Sequence, residues 1–300
     1  MHRRIILKTL VGALLAATLL AAPAAQSQII INNYRYSAGG PNRCAALGDT
    51  VSTTVFDIDA TCSNSYSGSG QTVSSLETTP ADGAAQSAYV FDFGNSSGAS
   101  SDDPGFTGTP GDTGAYFTFD GGDYFELDGT NTSFINNLAK TTGGQDFWVA
   151  LVFYNQTAGA TQGLASVSGS ASLPGIFTTI NSGEHPVFAQ RGDTASVTNT
   201  FSGITLSNNT WYLLVLSYSH STNEVAIWVN SLTGTTASMT FNATTTDPNT
   251  QMRIFRSTST YIANSARART FAMGNGYLDN TEAGKIFTAL EARHSADYTP

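Results

Sequence analysis

The sequence predicts an all-β protein, two stacked antiparallel sheets with one short, capped helix near the C-terminus. Three observations carry this. No helical period appears across 300 residues until roughly the last twenty. Short β-rich runs follow one another instead, separated by clusters of Gly, Asn, Ser, Thr and Asp. Two of the runs, residues 147–154 and 211–218, are apolar at both parities, as strands covered on both faces are. Composition agrees: 12% of residues are charged and 40% hydrophobic, where an average chain carries about a quarter charged. That apolar fraction is ample for a core and excludes a disordered chain.

Taken in order, the first element is a targeting segment. Arg3, Arg4 and Lys8 precede an apolar run over residues 10–22, followed by Ala, Pro and Ser. This is the three-part layout of a secretory signal, assigned to residues 1–27. The run is shorter than the about 18 residues a membrane span needs. Arg3-Arg4 also resembles the twin-arginine export signature, with ordinary Sec export the expected route. Removing the signal takes three positive charges from a formal net of −9, leaving −12. The mature chain is expected to be secreted, periplasmic or at the cell surface, with no membrane span. Cys44 and Cys62, with seventeen residues between them, are expected to form a structural disulfide in such a compartment. Only three lysines are present, and a nucleic-acid partner, which needs clustered Lys and Arg, is excluded.

Strands are expected over residues 29–36, 53–58, 89–93, 115–119, 124–127, 147–154, 163–167, 175–180, 211–218, 225–229, 238–241, 252–255 and 269–273. Residues 94–114 read as a long Gly/Ser/Asp/Pro loop. Residues 28–85 hold both cysteines and weaker strands. A soft boundary near Ala85 sets them off from residues 86–300, as an elaboration of the sandwich or as a small module. The helix follows Asp279, which with Glu282 has capping-box spacing. Ala283, Ile286, Phe287 and Leu290 then form one apolar stripe.

Three of these segments, in order, resemble a known superfamily. Phe119-Asp-Gly-Gly-Asp-Tyr-Phe-Glu-Leu127 is similar to the opening hairpin of laminin-G-like, concanavalin A-like lectin/glucanase domains. Trp211-Tyr-Leu-Leu-Val-Leu-Ser-Tyr218 followed by Val225-Ala-Ile-Trp-Val-Asn230 resembles that family's aromatic hairpin, with Asn230-Ser231 where Asn-Gly is usual. The capped helix resembles its closing segment. The resemblance spans about residues 88–295. It implies a jelly-roll sandwich and, as the commonest activity, binding of carbohydrate or protein.

Glucan-hydrolysing members of the superfamily carry a Glu-x-Asp-x-x-Glu strand, and the chemistry needs a raised-pKa acid beside an ionised one. Glu126-Leu-Asp128 is followed by Asn131, and Asp57-Ile-Asp59 by Cys62, so neither completes the pattern. Asp57 and Asp59 are expected to solvate a strand end, and Asp128 to make a turn. No Gly-x-Ser-x-Gly elbow is present. His185, His220 and His294 have no evident partners, and His294 falls at the end of the helix, where a cation suits the dipole. Calcium is kept as a candidate ion, with Asp102, Asp103, Asp120 and Asp123 as oxygen donors, although Asp-Gly turn chemistry also accounts for Asp120 and Asp123.

Ligand-binding candidates are Tyr116, Tyr154, Tyr261 and Tyr277, near strand ends and loops, while Trp148, Trp211 and Trp228 are expected in the core. Arg253, Arg256, Arg267 and Arg269 cluster in an acidic chain. Pairing with acids across the sheet is their expected role. The alternative is an anion-recognising face for a uronic-acid polymer, which adds Arg256 and Arg267 to the candidates. The expectation is a non-catalytic module binding a polysaccharide or glycoconjugate. The alternatives are a structural, adhesive or phage-related surface protein recognising a protein partner, and a divergent polysaccharide hydrolase or lyase.

Overall fold

A computed structural model describes residues 42–156, 159–168 and 173–294. The expected signal peptide and the strand over residues 29–36 lie outside the described residues. Residues 42–45 belong to one compact unit, and a second, which holds all the strands and helices that follow, begins at Ala46.

The first strands are β1 (Thr54–Asp59), β2 (Thr72–Ser74), β3 (Val90–Phe93), β4 (Gly105–Thr107), β5 (Tyr116–Thr118) and β6 (Phe125–Leu127). A short helix α1 (Ser133–Asn137) leads to β7 (Phe147–Asn155), β8 (Gln162–Ser166), β9 (Gly175–Ile180), β10 (Pro186–Arg191) and β11 (Ser196–Thr200). Next come β12 (Thr210–Ser219), β13 (Glu224–Val229), β14 (Thr235–Ser238), β15 (Arg253–Ile254), β16 (Arg256–Ser257), β17 (Thr260–Tyr261) and β18 (Arg267–Asn275). The chain described ends in α2 (Asn280–His294).

Two eight-stranded antiparallel sheets result. Sheet A runs β14-β13-β12-β7-β18-β5-β4, with β1 also on β18, and sheet B runs β11-β10-β9-β8-β15-β6-β3-β2. The fold is therefore a β-sandwich, as the alternating runs predict. β1 and β2 are strands of the same two sheets as the rest, β1 beside β18 and β2 beside β3. The expected strand at 238–241 forms earlier, as β14, leaving Met239 and Phe241 to the core. The long loop carries β4, which pairs with β5.

The core between the sheets is aromatic. Phe117 stacks edge-on with Phe125 at 4.9 Å between centroids, and Phe125 lies 5.1 Å from Phe271; all three are fully buried. Each such ring contributes about 1.5–3 kcal/mol by burial. A second apolar layer lies on the other face of sheet A. Trp148, Ala150 and Val152 of β7, Leu213 and Val215 of β12, and Trp228 of β13 pack there against Ala283, Ile286, Phe287 and Leu290 of α2. The two-parity pattern of β7 and β12 thus has its cause: core on one side, helix on the other. Asp279 caps α2 as its spacing predicts, its Oδ1 accepting from the amides of Thr281 (2.8 Å) and Glu282 (2.9 Å). The helix runs past the predicted stripe to His294.

Both cysteines are disulfide-bonded, and since the chain holds two, the bond joins Cys44 to Cys62. Closing a loop of this size is worth about 3 kcal/mol in the chain-entropy account.

Candidate functional site

Helix α2 leaves part of the outer face of sheet A open, and aromatic and arginine side chains occupy it. The local cause is a β-bulge in β18: Ala268 pairs with Phe153 and Thr270 with Val152, leaving Arg269 as the extra residue. Ala268 and Phe271 point into the core. The bulge therefore turns Arg269 and Thr270 outward together, beside Arg267, the re-aiming that bulges provide. Arg267 lies between two rings, its guanidinium 5.0 Å from the Tyr116 centroid on β5 and 4.8 Å from Tyr154 on β7. Arg269 lies 4.6 Å from the ring of Trp211 on β12, and Trp211 sits 5.6 Å from Tyr154. Tyr116, Tyr154, Trp211 and Arg267 are half-buried.

Asn230 sets the position of Trp211. It takes a left-handed φ of 44°, which Asn tolerates. Its Oδ1 accepts from the Leu213 amide at 2.8 Å and its Nδ2 donates to the Trp211 carbonyl at 3.1 Å. The departure from Asn-Gly is absorbed by Asn230 itself. Tyr154 donates to Asn209 Oδ1 at 3.4 Å, at the rim of the patch. Trp148 and Trp228 belong to the layer under α2, where their indole N–H groups donate to Thr53 and Asn280. Trp211, expected in the core, lies at the margin of that layer instead.

Against sheet B, the separate two-stranded ribbon of β16 and β17 carries a second arginine between two tyrosines. Arg256 on β16 lies 4.4 Å from the Tyr124 ring and 4.8 Å from the Tyr261 ring on β17. Arg253 pairs with Glu126 across the sheet at 2.5 Å, as cross-strand pairing predicts. Asp92, directly opposite Glu126, is buried with Oδ1 unpartnered. Burial, with Asp128 and Glu126 nearby, pushes its pKa up. The Tyr124 phenol is pushed up to about 12 by burial.

The six candidates thus fall in three places. Tyr116, Tyr154 and Arg267 meet on sheet A, and Arg256 and Tyr261 meet as a cross-strand pair on the β16–β17 ribbon. Tyr277 joins neither and donates to Glu224 on β13. Two further rings stand beside the arginines: Trp211, which the sequence assigns to the core, and Tyr124, which it does not single out. Nothing in the sequence distinguishes Tyr124, although its alternation with core residues Phe125 and Leu127 places it on the outer face.

Asp57 and Asp59 are corrected. They do not solvate a strand end; both are fully buried in β1. Arg293 of α2 bonds Asp57 through Nη1 at 2.9 Å and Nη2 at 2.8 Å, and Asp59 through Nη1 at 3.1 Å. Thr270 donates to Asp59 Oδ2 at 2.6 Å, and His294 Nε2 is 3.1 Å from the same atom. His294 is corrected too: it is not an exposed helix-end cation, and burial drives its pKa down. His294 and Arg293 hold the Asp59 carboxyl well below the usual range despite burial. His220 packs edge-on against Tyr218 and Phe241, and His185 Nδ1 lies 2.7 Å from the Ile204 carbonyl.

At the calcium candidates, Asp123 Oδ2 accepts from the Asp120 amide at 2.7 Å, and Asp120 Oδ1 from Gly122 at 2.9 Å. Gly121, at φ 98°, makes the turn. Burial pushes Asp123 up to about 7. Ser100 donates to both Asp102 and Asp103. Among the described residues, no group of three or more His, Cys, Asp or Glu side chains is set to hold a metal ion.

No protein-family profile matches the chain, and no curated protein does. Solved structures match in fold. The binding domain of botulinum neurotoxin DC, in complex with SialylT, superposes with a TM-score of 0.53 at 9% identity, covering 82% of this chain and 52% of that one. A botulinum neurotoxin type C structure gives 0.55 at 9%, covering 82% and 53%. Trypanosoma rangeli sialidase gives 0.51 at 11%, covering 82% and 34%. The chain spans about half the length of the neurotoxin structures. At such identities the likeness is one of fold, and the fold is that of a β-sandwich.

Proposed function

We propose that this chain is an exported, non-catalytic carbohydrate-binding module that receives its glycan on the open part of sheet A. The observation that carries the reading is the patch of Tyr116, Tyr154 and Trp211 around Arg267. Aromatic faces stack against the apolar faces of sugar rings, while a stacked guanidinium keeps its edge N–H groups for hydroxyl or acidic oxygens. The patch rests on β7, β12 and β18, neighbours in the sheet, so little ordering cost opposes binding. The neighbours in fold support the class: botulinum neurotoxin type C is described as entering cells through two ganglioside molecules, and another structure holds SialylT. Fold likeness supports a class, and the site carries the function. The N-terminal layout and the disulfide favour an exported protein.

The test is a glycan array probed with the full chain and with Trp211→Ala. The expected result is a set of bound glycans whose affinity falls roughly tenfold or more in the variant, as for a central aromatic anchor, while the melting temperature holds. Absence of any bound glycan, or binding indifferent to Trp211→Ala, overturns the reading.

A further inference from the structure

We infer that Arg256 and Tyr261, backed by the buried ring of Tyr124, form a second binding site, on the sheet B side of the sandwich, for a carboxylate-bearing saccharide. The inference rests on its own observations. Arg256 is half-buried between the two rings, at 4.4 and 4.8 Å, and its buried Nε meets no acceptor. A buried donor left unsatisfied in a folded protein calls for a partner. Among the described residues no carboxylate forms a salt bridge with Arg256, whereas its neighbour Arg253 is neutralised by Glu126 at 2.5 Å. The other acid acting on the site is Asp102, which accepts a hydrogen bond from Ser100. Arg256 is thus the arginine of the site that no salt bridge occupies among the described residues, and it carries a planar fork suited to a carboxylate.

The backbone is bent to hold this geometry. Phe255 and Thr258, on either side of the β16 strand, take left-handed φ values of 64° and 23°, outliers for an aromatic and a β-branched residue. Such strain persists where surrounding structure enforces it, and it gathers at binding sites. The enforcement is visible. Phe255 is anchored in the core against Phe119 at 4.9 Å, and Ser166 Oγ donates to the Arg256 carbonyl at 3.0 Å. The β16–β17 hairpin lies directly on Gly163 of β8, where a Cβ would come within 2.3 Å of the Ser257 nitrogen. Gln162 Oε1 accepts from Ala263 at 3.1 Å, pinning the far side. Beside the clamp, Tyr261 lines a pocket of about 310 Å³ together with Thr161, Ser259 and Asn264. Hydroxyl and amide groups next to the half-buried Tyr261 ring and an arginine fork match an acidic sugar: Tyr261 for its apolar face, the fork for its carboxylate, with the buried Tyr124 ring backing the guanidinium.

The test is calorimetric titration of the full chain with trigalacturonic acid and 3′-sialyllactose, the uronic and sialic sources of the carboxylate, against neutral galactotriose and lactose. One acidic saccharide is expected to bind roughly tenfold or more tightly than its neutral counterpart, the scale of a charge-assisted bidentate contact. Arg256→Gln is expected to remove that margin, and Arg256→Lys to fail to restore it, because a point charge is not a fork. Tyr261→Leu, which keeps the arginine, is expected to weaken binding too, with thermal unfolding confirming that each variant folds. Trp211→Ala is expected to remove only the binding that the sheet A patch supplies, while the acidic-over-neutral margin set by Arg256 persists, which separates the two sites. Equal binding of acidic and neutral saccharides, unchanged affinity in Arg256→Gln, loss of all binding in Trp211→Ala, or equal competition by hexaglutamate overturns the proposal.

Discussion

Arg293 and Asp57 meet fork to fork across 236 residues of sequence, Nη1 to Oδ1 at 2.9 Å and Nη2 to Oδ2 at 2.8 Å, with both side chains shut off from solvent. Asp57 also accepts from the Leu47 amide at 2.8 Å, and Arg293 reaches Asp59. One cation thus fastens the last turn of α2 to β1.

Removing that cation strands two buried carboxylates. Arg293→Met is expected to cost about 3–5 kcal/mol, the range for breaking a buried pair from one side. Adding Asp57→Asn to it is expected to cost less than the single variant, because one stranded charge disappears. Urea denaturation of the two variants checks the order. A single variant within 1 kcal/mol of wild type, on the order of a surface pair, refutes the clamp.

The same cluster predicts acid sensitivity, with the sign as follows. Asp59 titrates lower in the folded than in the unfolded chain, so its contribution is present above the unfolded value of about 4 and is lost as pH falls below it. His294 is also lowered, so the unfolded chain takes up its proton first, and stability declines as pH falls below about 6.5. Melting temperature is expected to drop in two stages on acidification. His294→Gln should shrink the upper stage, to which His220, also lowered by burial, still contributes, and should weaken the lower, which Arg293 and Thr270 then sustain.

Asp123 acts in the opposite sense. Its folded pKa of about 7 lies above its unfolded value of about 4. The folded chain holds the extra proton between those limits, and this carboxyl lowers stability as pH rises from about 4 to 7. Asp123→Asn is expected to melt higher than wild type near pH 8 and close to it near pH 4. A difference independent of pH counts against a buried, protonated carboxyl.

Gly163→Ala places a methyl against backbone atoms, 2.3 Å from the Ser257 nitrogen and 2.4 Å from the Thr260 oxygen. Backbone cannot step aside as a side-chain tip can, so the β16–β17 hairpin must lift from β8. The expected cost is about 1–3 kcal/mol, as for overpacking. Chemical denaturation measures the loss, and amide exchange localised to residues 256–261 identifies its site.

Much of the fold was legible because its causes are local. β7 and β12 declare themselves by apolar residues at both parities, and the structure covers both their faces. The cap at Asp279 and the stripe from Ala283 to Leu290 rest on spacings within one helix. The clamp was illegible for the converse reason: nothing near Asp57 or Asp59 in sequence announces Arg293, and an acidic pair in an isolated strand reads as solvated. The aromatic clusters were half legible. Tyr116, Tyr154 and Arg267 stood out as residues near strand ends. Only the bulge at Arg269 and the sheet order β12-β7-β18-β5 bring them into one patch with Trp211, and a bulge leaves no mark on the apolar pattern.

The place of β18 in sheet A has a kinetic consequence. It is the last strand along the described chain, yet it lies between β7 on one side and β5 and β1 on the other. A nascent polypeptide that has not reached residue 267 has no strand to join β5 and β1 to β7, so that side of sheet A waits for β18. Pairings this distant in sequence place the protein among slow folders, and closure of sheet A around β18 comes late in folding.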